Sequence, residues 1–137
     1  MSRSFPLARF APQFLSVLRI AAAFMFMLHG TGKLFHFPAD PSMPPMELAV
    51  GSKIWIAGVL ECFGGFLLLI GLFTRPVAFL LSGEMAVAYF QAHAPRSFFP
   101  TLNHGEAAAL FSFIWLYFSA AGPGPWSVDA AMRKRDT

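Results

Sequence analysis

The chain has 137 residues, of which 56% are hydrophobic and 12% are charged. An ordinary soluble domain has roughly 45–50% hydrophobic and about 25% charged residues. A soluble domain this short could not bury so much apolar surface, so the composition favours a lipid environment. The net charge of +3 is modest and no basic cluster is interleaved with aromatic residues, which excludes a nucleic-acid-binding face. The length allows one domain, which we take as residues 1–137.

Four long apolar stretches predict four transmembrane helices, at about residues 14–35, 54–73, 76–92 and 105–121. Each approaches the roughly 17–25 residues that are needed to cross about 30 Å of hydrocarbon. Helices are expected because backbone polar groups in lipid must find partners within their own segment. The first stretch is too long for a cleaved signal peptide and contains Arg19, so we expect it to be retained. The predicted fold class is therefore all-α, a polytopic bundle of four transmembrane helices.

The connecting segments support this division of the chain. A proline-rich loop with Asp40 and Glu47 follows the first helix, a tight turn is predicted at 74–76, and Gly122–Pro125 ends the fourth helix before a short tail, 127–137. The side of the membrane with the termini would hold six basic residues: Arg3, Arg9, Arg75, Arg133, Lys134 and Arg135. The other side would hold three: Lys33, Lys53 and Arg96. The excess of positive charge predicts that both termini are cytoplasmic.

Ionisable side chains in the apolar segments are the candidates for function, because a charge near the bilayer centre costs several kcal/mol. His29 and Lys33 are four residues apart and so share one face near the outer end of the first helix. Glu61 lies roughly 10 Å inside the outer boundary of the second helix. We therefore predict a polar cluster in the outer half of the bundle, which is a candidate ligand or quinone site. Its members are His29, Lys33, Glu61, Asn103, His104 and Glu106.

Structural roles compete with function for some of these residues. The segment Asn103–Glu106 fits a capping box, with its asparagine at the N-cap and its glutamate at N3. Lys33 has the alternative of reaching the outer headgroups with its long side chain. Arg19 and Glu84 lie deeper, toward the cytoplasmic side, and are the candidates for an intramembrane charge pair.

Glu61 is the residue for which a purely structural role is hardest to argue. It lies among Gly58, Gly64 and Gly65, and small residues of this kind let a neighbouring helix approach closely. A carboxyl group in such a place needs a partner or a purpose.

The histidines raise the alternative of a metal site, because imidazole and carboxylate are suitable ligands. His29, His93 and His104 show no local ligand motif, however, and would have to converge from different helices. We therefore predict no metal site. The single cysteine, Cys62, has no partner for an intramolecular disulfide, and its apolar neighbours favour a buried, inert thiol.

Several segments together resemble a known family. The first helix ends in His29–Leu34, the second carries Glu61–Gly65 and Leu69–Arg75, the fourth opens with Asn103–Glu106, and the tail contains Gly122–Asp129. In this order and spacing they resemble the DoxX family of small bacterial inner-membrane proteins, over roughly residues 18–129. The family often has Asn-Gly-Gly-Glu where this chain has His104 as the second residue of the motif.

The resemblance implies a four-helix bundle in the bacterial inner (cytoplasmic) membrane that is linked to oxidoreductase systems. Related DoxD-type proteins are subunits of a thiosulfate:quinone oxidoreductase, and DoxX is associated with a membrane complex for thiol and oxidative stress. The implied function is a subunit of, or accessory to, a quinone-linked oxidoreductase, with a quinone as cofactor and a partner redox protein. We see no haem, flavin or iron–sulfur motif and no self-contained catalytic motif, so the chain would be at most a subunit of an enzyme. The alternative is a non-catalytic carrier, small-molecule binding module or assembly anchor, for which a transport pathway would require a homo-oligomer.

Overall fold

The computed structural model of the chain describes residues 5–135, and every regular element in that range is a helix. A 3₁₀ turn, Pro6–Phe10, leads into α1 (Ala11–Phe35), which is followed by α2 (Lys53–Ile70). Helix α3 begins as Thr74–Ala88 and continues through Tyr89–His93. The short α4 (Pro100–Asn103), α5 (Glu106–Ala121) and α6 (Val128–Arg135) complete the chain. The all-α prediction is confirmed; Arg3 and the last two residues of the predicted tail lie outside the described range.

The helix boundaries differ from the predicted ones by a few residues, and each difference has a local cause. Helix α1 begins at Ala11 because Pro12 suits its first turn, where a missing N–H costs nothing. Helix α2 ends at Ile70 because Gly71 follows with a φ of +70°, a left-handed conformation that ends helices. The turn lies at residues 71–73, and the predicted turn at 74–76 is instead the first turn of α3.

Two helices are long and apolar enough to cross a membrane by length and composition, Pro6–Phe35 and Lys53–Ile70. Only 28% and 22% of their most apolar windows are buried inside the structure. The core helix of a soluble protein would bury most of such a window, so this exposure is the pattern expected for contact with lipid. Helix α5 is also apolar but is shorter, with 16 residues.

The four long helices pack as two pairs, α1 against α2 and α3 against α5. Their common core is aromatic: the ring of Phe26 meets that of Trp115 edge-on at 5.4 Å between centroids, and Phe111 and Phe118 flank the indole. All four are nearly or fully buried. Edge-on and offset arrangements of this kind add to the burial of their large apolar area.

Glycines set the close contact between α1 and α2. A Cβ atom on Gly30 would lie 2.3 Å from the backbone nitrogen of Cys62. One on Gly65 would lie 3.0 Å from Cβ of Met27, and one on Gly58 would lie 3.2 Å from Cβ of Lys33. The prediction that small residues around Glu61 permit a close helix–helix approach is therefore confirmed.

Both α2 and α3 contain one π-helical turn, at Leu60–Gly64 and Tyr89–His93. Such turns widen the helix by one residue and are frequent at functional sites. The first carries Glu61, and the second carries the aromatic and imidazole rings of Tyr89 and His93.

Hydrogen bonds hold the C-terminal segment across one end of the bundle, which we call the tail end. The two carboxylate oxygens of Asp129 accept hydrogen bonds of 2.9 Å from the backbone N–H groups of Phe73 and Thr74, at the start of α3. The Arg75 guanidinium donates to the carbonyl of Ala120 at the end of α5. The opposite end, with the connections 36–52 and 94–105, is the loop end.

Candidate functional site

A buried ion pair joins α1 to α2 and is the centre of the candidate site. Nζ of Lys33, in the last turns of α1, donates to Oε2 of Glu61, in the π-helical turn of α2. The Lys33 side chain is 31% exposed and that of Glu61 only 3%. The lysine therefore lies between the buried carboxylate and the surface of the bundle.

A second carboxyl group, that of Glu84 in α3, faces this pair. Both of its oxygens are buried and accept no hydrogen bond from the described residues. The carboxyl group interacts electrostatically with Glu61 and Lys33 and also with Glu61 through a side-chain hydrogen bond. With both carboxyl groups ionised, this cluster would hold two negative charges and one positive charge away from water, which is costly. One proton shared by the two carboxyl groups would leave it neutral.

His29 connects the cluster with the outside of the bundle. It lies one helical turn before Lys33 and interacts electrostatically with both Lys33 and Glu61. Its side chain is exposed, and its ring meets Phe111 of α5 edge-on at 5.9 Å between centroids. We call His29, Lys33, Glu61 and Glu84 the carboxylate cluster; it offers hydrogen-bond donors at the surface and exchangeable protons behind them.

The predicted outer cluster thus divides into parts. The structure brings His29, Lys33 and Glu61 together, whereas Asn103 belongs to a separate network. Its amide nitrogen donates to the carbonyl of Ser97 at 2.9 Å and to the hydroxyl of Tyr89 at 3.3 Å. Asn103 is completely buried, so these hydrogen bonds hold α4 against the end of α3.

His104 and Glu106 are exposed and lie outside both groups. The predicted capping box is wrong. The side-chain oxygen of Asn103 accepts from the backbone N–H of Gly105 at 2.8 Å, and α5 begins at Glu106 without a side-chain cap. The reason is that Asn103 is the last residue of α4, so it closes one helix instead of opening the next.

The predicted pair of Arg19 and Glu84 is also wrong. Arg19 is completely buried, and its guanidinium donates to the carbonyl of Pro123 and, at 2.6 Å, to that of Trp126. It also interacts electrostatically with Asp129. Arg19 therefore holds the tail end together, and Glu84 faces the opposite direction along the bundle, toward Glu61.

Within residues 5–135 no three His, Cys, Asp or Glu side chains lie close enough together to share a metal ion. The network of the loop end contains His93, whose Nδ1 lies 3.0 Å from the carbonyl oxygen of Asn103. A backbone partner of this kind indicates a structural role for that ring.

Sequence reasoning placed Glu84 with the wrong partner. A usable signal was Gly64 of α2, which faces α3: a Cβ on Gly64 would lie 2.9 Å from the side chain of Leu81, one turn before Glu84. The π-helical turn that rotates Glu61 toward the same interface left no trace in the hydrophobic pattern.

Comparison with known proteins gives the family of this chain. The family model of DoxX matches residues 14–94, which contain every member of the carboxylate cluster. A relative from Haemophilus influenzae, described as an uncharacterized protein, is 46% identical over 133 residues, which cover 94% of this chain and 98% of the relative. No solved structure gives a significant match. The chain belongs to the DoxX family of membrane proteins.

Proposed function

We propose that this protein spans the bacterial inner membrane four times, with both termini in the cytoplasm, and binds a quinone as a subunit of, or accessory to, a membrane oxidoreductase system. The observation that carries the proposal is the carboxylate cluster, in which a partly exposed lysine screens two buried carboxyl groups. A partner redox protein supplies the electrons, from a sulfur or thiol compound or from an oxidative-stress pathway.

The donor set of the cluster fits a quinone head group. A bound quinone would supply two-electron redox chemistry that takes up two protons at its carbonyl oxygens. Lys33 and His29 offer N–H donors to a carbonyl oxygen at the surface of the bundle, where both side chains are accessible. Glu84 faces Glu61 closely enough for one proton to be shared between the two carboxyl groups, and neither of its oxygens accepts a hydrogen bond from another described residue.

The proton has a short route through these residues. Glu84 faces Glu61, and Glu61 is bonded to Lys33. Movement of the proton between the two carboxyl groups changes which of them is ionised next to the ammonium group. Release of this proton toward the surface leaves one negative charge in the cluster, and the return of a proton makes the cluster neutral again.

The proposed orientation follows from the distribution of basic residues. Arg75, Arg133 and Arg135 lie at the tail end with the described parts of both termini, and positive charge is retained on the cytoplasmic side. The carboxylate cluster then lies in the half of the bundle nearer the periplasmic face. Helix α5, with 16 residues, is shorter than the other long helices, and local thinning of the bilayer around it would let it span.

The test is mass spectrometry of organic extracts from gently purified protein. We would compare wild type with His29→Ala, Glu61→Gln and Glu84→Gln, and use Glu47→Gln as the control, because Glu47 is an exposed carboxylate in the connection 36–52. Wild type and the control should retain a quinone in near-stoichiometric amount. The cluster variants should retain much less, and Glu84→Gln should do so while remaining folded, because the amide can still donate a hydrogen bond to Glu61.

Two results would overturn the proposal. One is a folded wild-type protein with no quinone in its extract. The other is a quinone retained equally by the wild type and by all three cluster variants.

A proton-coupled carrier is the second candidate, and the buried carboxyl group of Glu84 beside Glu61 favours it too. A pair of carboxyl groups that gives up and regains a shared proton beside an ammonium group is suited to coupling a small molecule to protons. This candidate predicts substrate flux in reconstituted vesicles without any change in redox state, and it requires a homo-oligomer, since four helices make a thin wall for a pathway. An anchor for another enzyme would show neither flux nor a bound quinone.

A further inference from the structure

The tail end of the bundle contains a groove that the proposed function does not use. It has a volume of about 790 Å³ and opens between α1, α5 and the segment after α5. Phe14 and Leu18 of α1 form one wall, Tyr117 of α5 forms the other, and Pro125 lies across the end. The volume is in the range of about 300–1,000 Å³ that is typical of small-molecule sites.

Two arginines lie at the rim of this apolar groove, Arg75 at the start of α3 and Arg133 in α6. Nη1 of Arg75 donates to the backbone carbonyls of Ser119 and Ala120, which fixes the guanidinium in place. Its Nε and Nη2 have no protein partner among the described residues. Arg133 is exposed and likewise forms no hydrogen bond or ion pair there. A guanidinium has five N–H donors, so most of the donor capacity of these two side chains is not used by the described residues.

A smaller groove of about 360 Å³ adjoins the first and shares both arginines. Its acidic residue, Asp129, has both oxygens bonded to the backbone N–H groups of Phe73 and Thr74. Among residues 5–135 the larger groove has no acidic residue in its lining. Within that range the charge at the junction of the two grooves is therefore positive, and no described carboxylate is free to pair with it.

We propose that this groove binds an anionic phospholipid of the surrounding bilayer leaflet. Arg75 and Arg133 bind its phosphate group, and an acyl chain packs between α1 and α5. Guanidinium groups bind phosphate through paired, charge-assisted hydrogen bonds, and basic pockets between helices at a membrane face select anionic head groups. A zwitterionic lipid carries its own cation, which the arginines would repel. The inference rests on the placement of the family in a membrane and does not depend on quinone binding.

The experiment is native mass spectrometry of delipidated, detergent-purified protein, titrated with phosphatidylglycerol or with phosphatidylcholine of identical acyl chains. Wild type should bind phosphatidylglycerol more tightly. Arg133→Gln should lower that affinity about fivefold, and Arg75→Gln with Arg133→Gln about 25-fold, from the attraction typical of one basic residue near a charged membrane surface. The matched control removes two exposed cations from the loop end, Lys53→Gln with Arg96→Gln, and should change nothing.

Equal affinity for the two lipids in wild type would overturn the proposal, as would an equal loss in the control and the groove variants. If Arg75→Gln unfolds the protein, the single variant Arg133→Gln still tests the proposal. It should remain folded, because Arg133 makes no hydrogen bond within the described structure. An unchanged affinity in Arg133→Gln would also count against it.

Discussion

The contact of Gly30 with the π-helical turn of α2 gives the sharpest prediction about how the carboxylate cluster is held. In Gly30→Ala the new methyl carbon would lie 2.3 Å from the backbone nitrogen of Cys62 and 2.8 Å from the carbonyl carbon of Glu61. Ordinary van der Waals contact begins near 3.4 Å. Because the obstructing atoms are backbone, no side chain can rotate away, and the two helices must move apart by about 1 Å.

The magnitude follows from two opposing terms. Overpacking of a close contact costs about 1–3 kcal/mol, and we take the upper end because the obstacle is backbone. Alanine is favoured over glycine inside a helix by about 1 kcal/mol. We therefore expect Gly30→Ala to lower the free energy of unfolding by about 2 kcal/mol.

Gly32 supplies the matched control on the same helix. A Cβ there would meet nothing within 4 Å, so Gly32→Ala should raise the free energy of unfolding by about 1 kcal/mol through helix propensity alone. The assay is reversible unfolding of both variants in mixed micelles, followed by circular dichroism. If Gly30→Ala proves as stable as Gly32→Ala, the close approach of α1 and α2 is refuted.

Three further predictions concern stability in the same assay. Glu84→Gln should leave the free energy of unfolding within about 0.5 kcal/mol of wild type, because the amide can still donate a hydrogen bond to Glu61 and neither Glu84 oxygen accepts one. Glu61→Gln should cost about 1–2 kcal/mol, since it leaves Lys33 unpaired but partly able to reach solvent. Equal costs would contradict the assignment. Asp129→Ala should cost about 2 kcal/mol by removing the two hydrogen bonds to the start of α3, and a neutral effect would show that these bonds are dispensable. Ser82→Ala should cost only about 0.6 kcal/mol, because it removes one of two reciprocal hydrogen bonds between α3 and α5; a cost of several kcal/mol would indicate a different α3–α5 contact.

The overall helical architecture could be predicted from the sequence because hydrophobic length is a strong and local signal. The stretches at about 14–35 and 54–73 became α1 and α2 with shifts of at most three residues. Glycine content near Glu61 also predicted correctly where two helices approach closely.

The site was only partly predictable, because it depends on the direction in which each side chain leaves its helix and on contacts between residues distant in sequence. The π-helical turn at Leu60–Gly64 sets the direction of Glu61, and no periodicity reveals such a turn. Arg19 was assigned to Glu84 on depth alone, whereas backbone carbonyls of the tail satisfy it. Carbonyl acceptors are present at every position, so sequence gives no means of choosing them.

The measurement that tests the central claim most directly is an infrared difference spectrum recorded on reduction of a short-chain ubiquinone analogue bound to the protein in lipid. If the carboxylate cluster exchanges protons with the quinone, wild type will show a change in the C=O stretch of a protonated carboxyl group. The change will persist in Glu47→Gln and disappear in Glu84→Gln. A carboxyl signal that is absent from folded wild type, or identical in Glu84→Gln, would contradict the account.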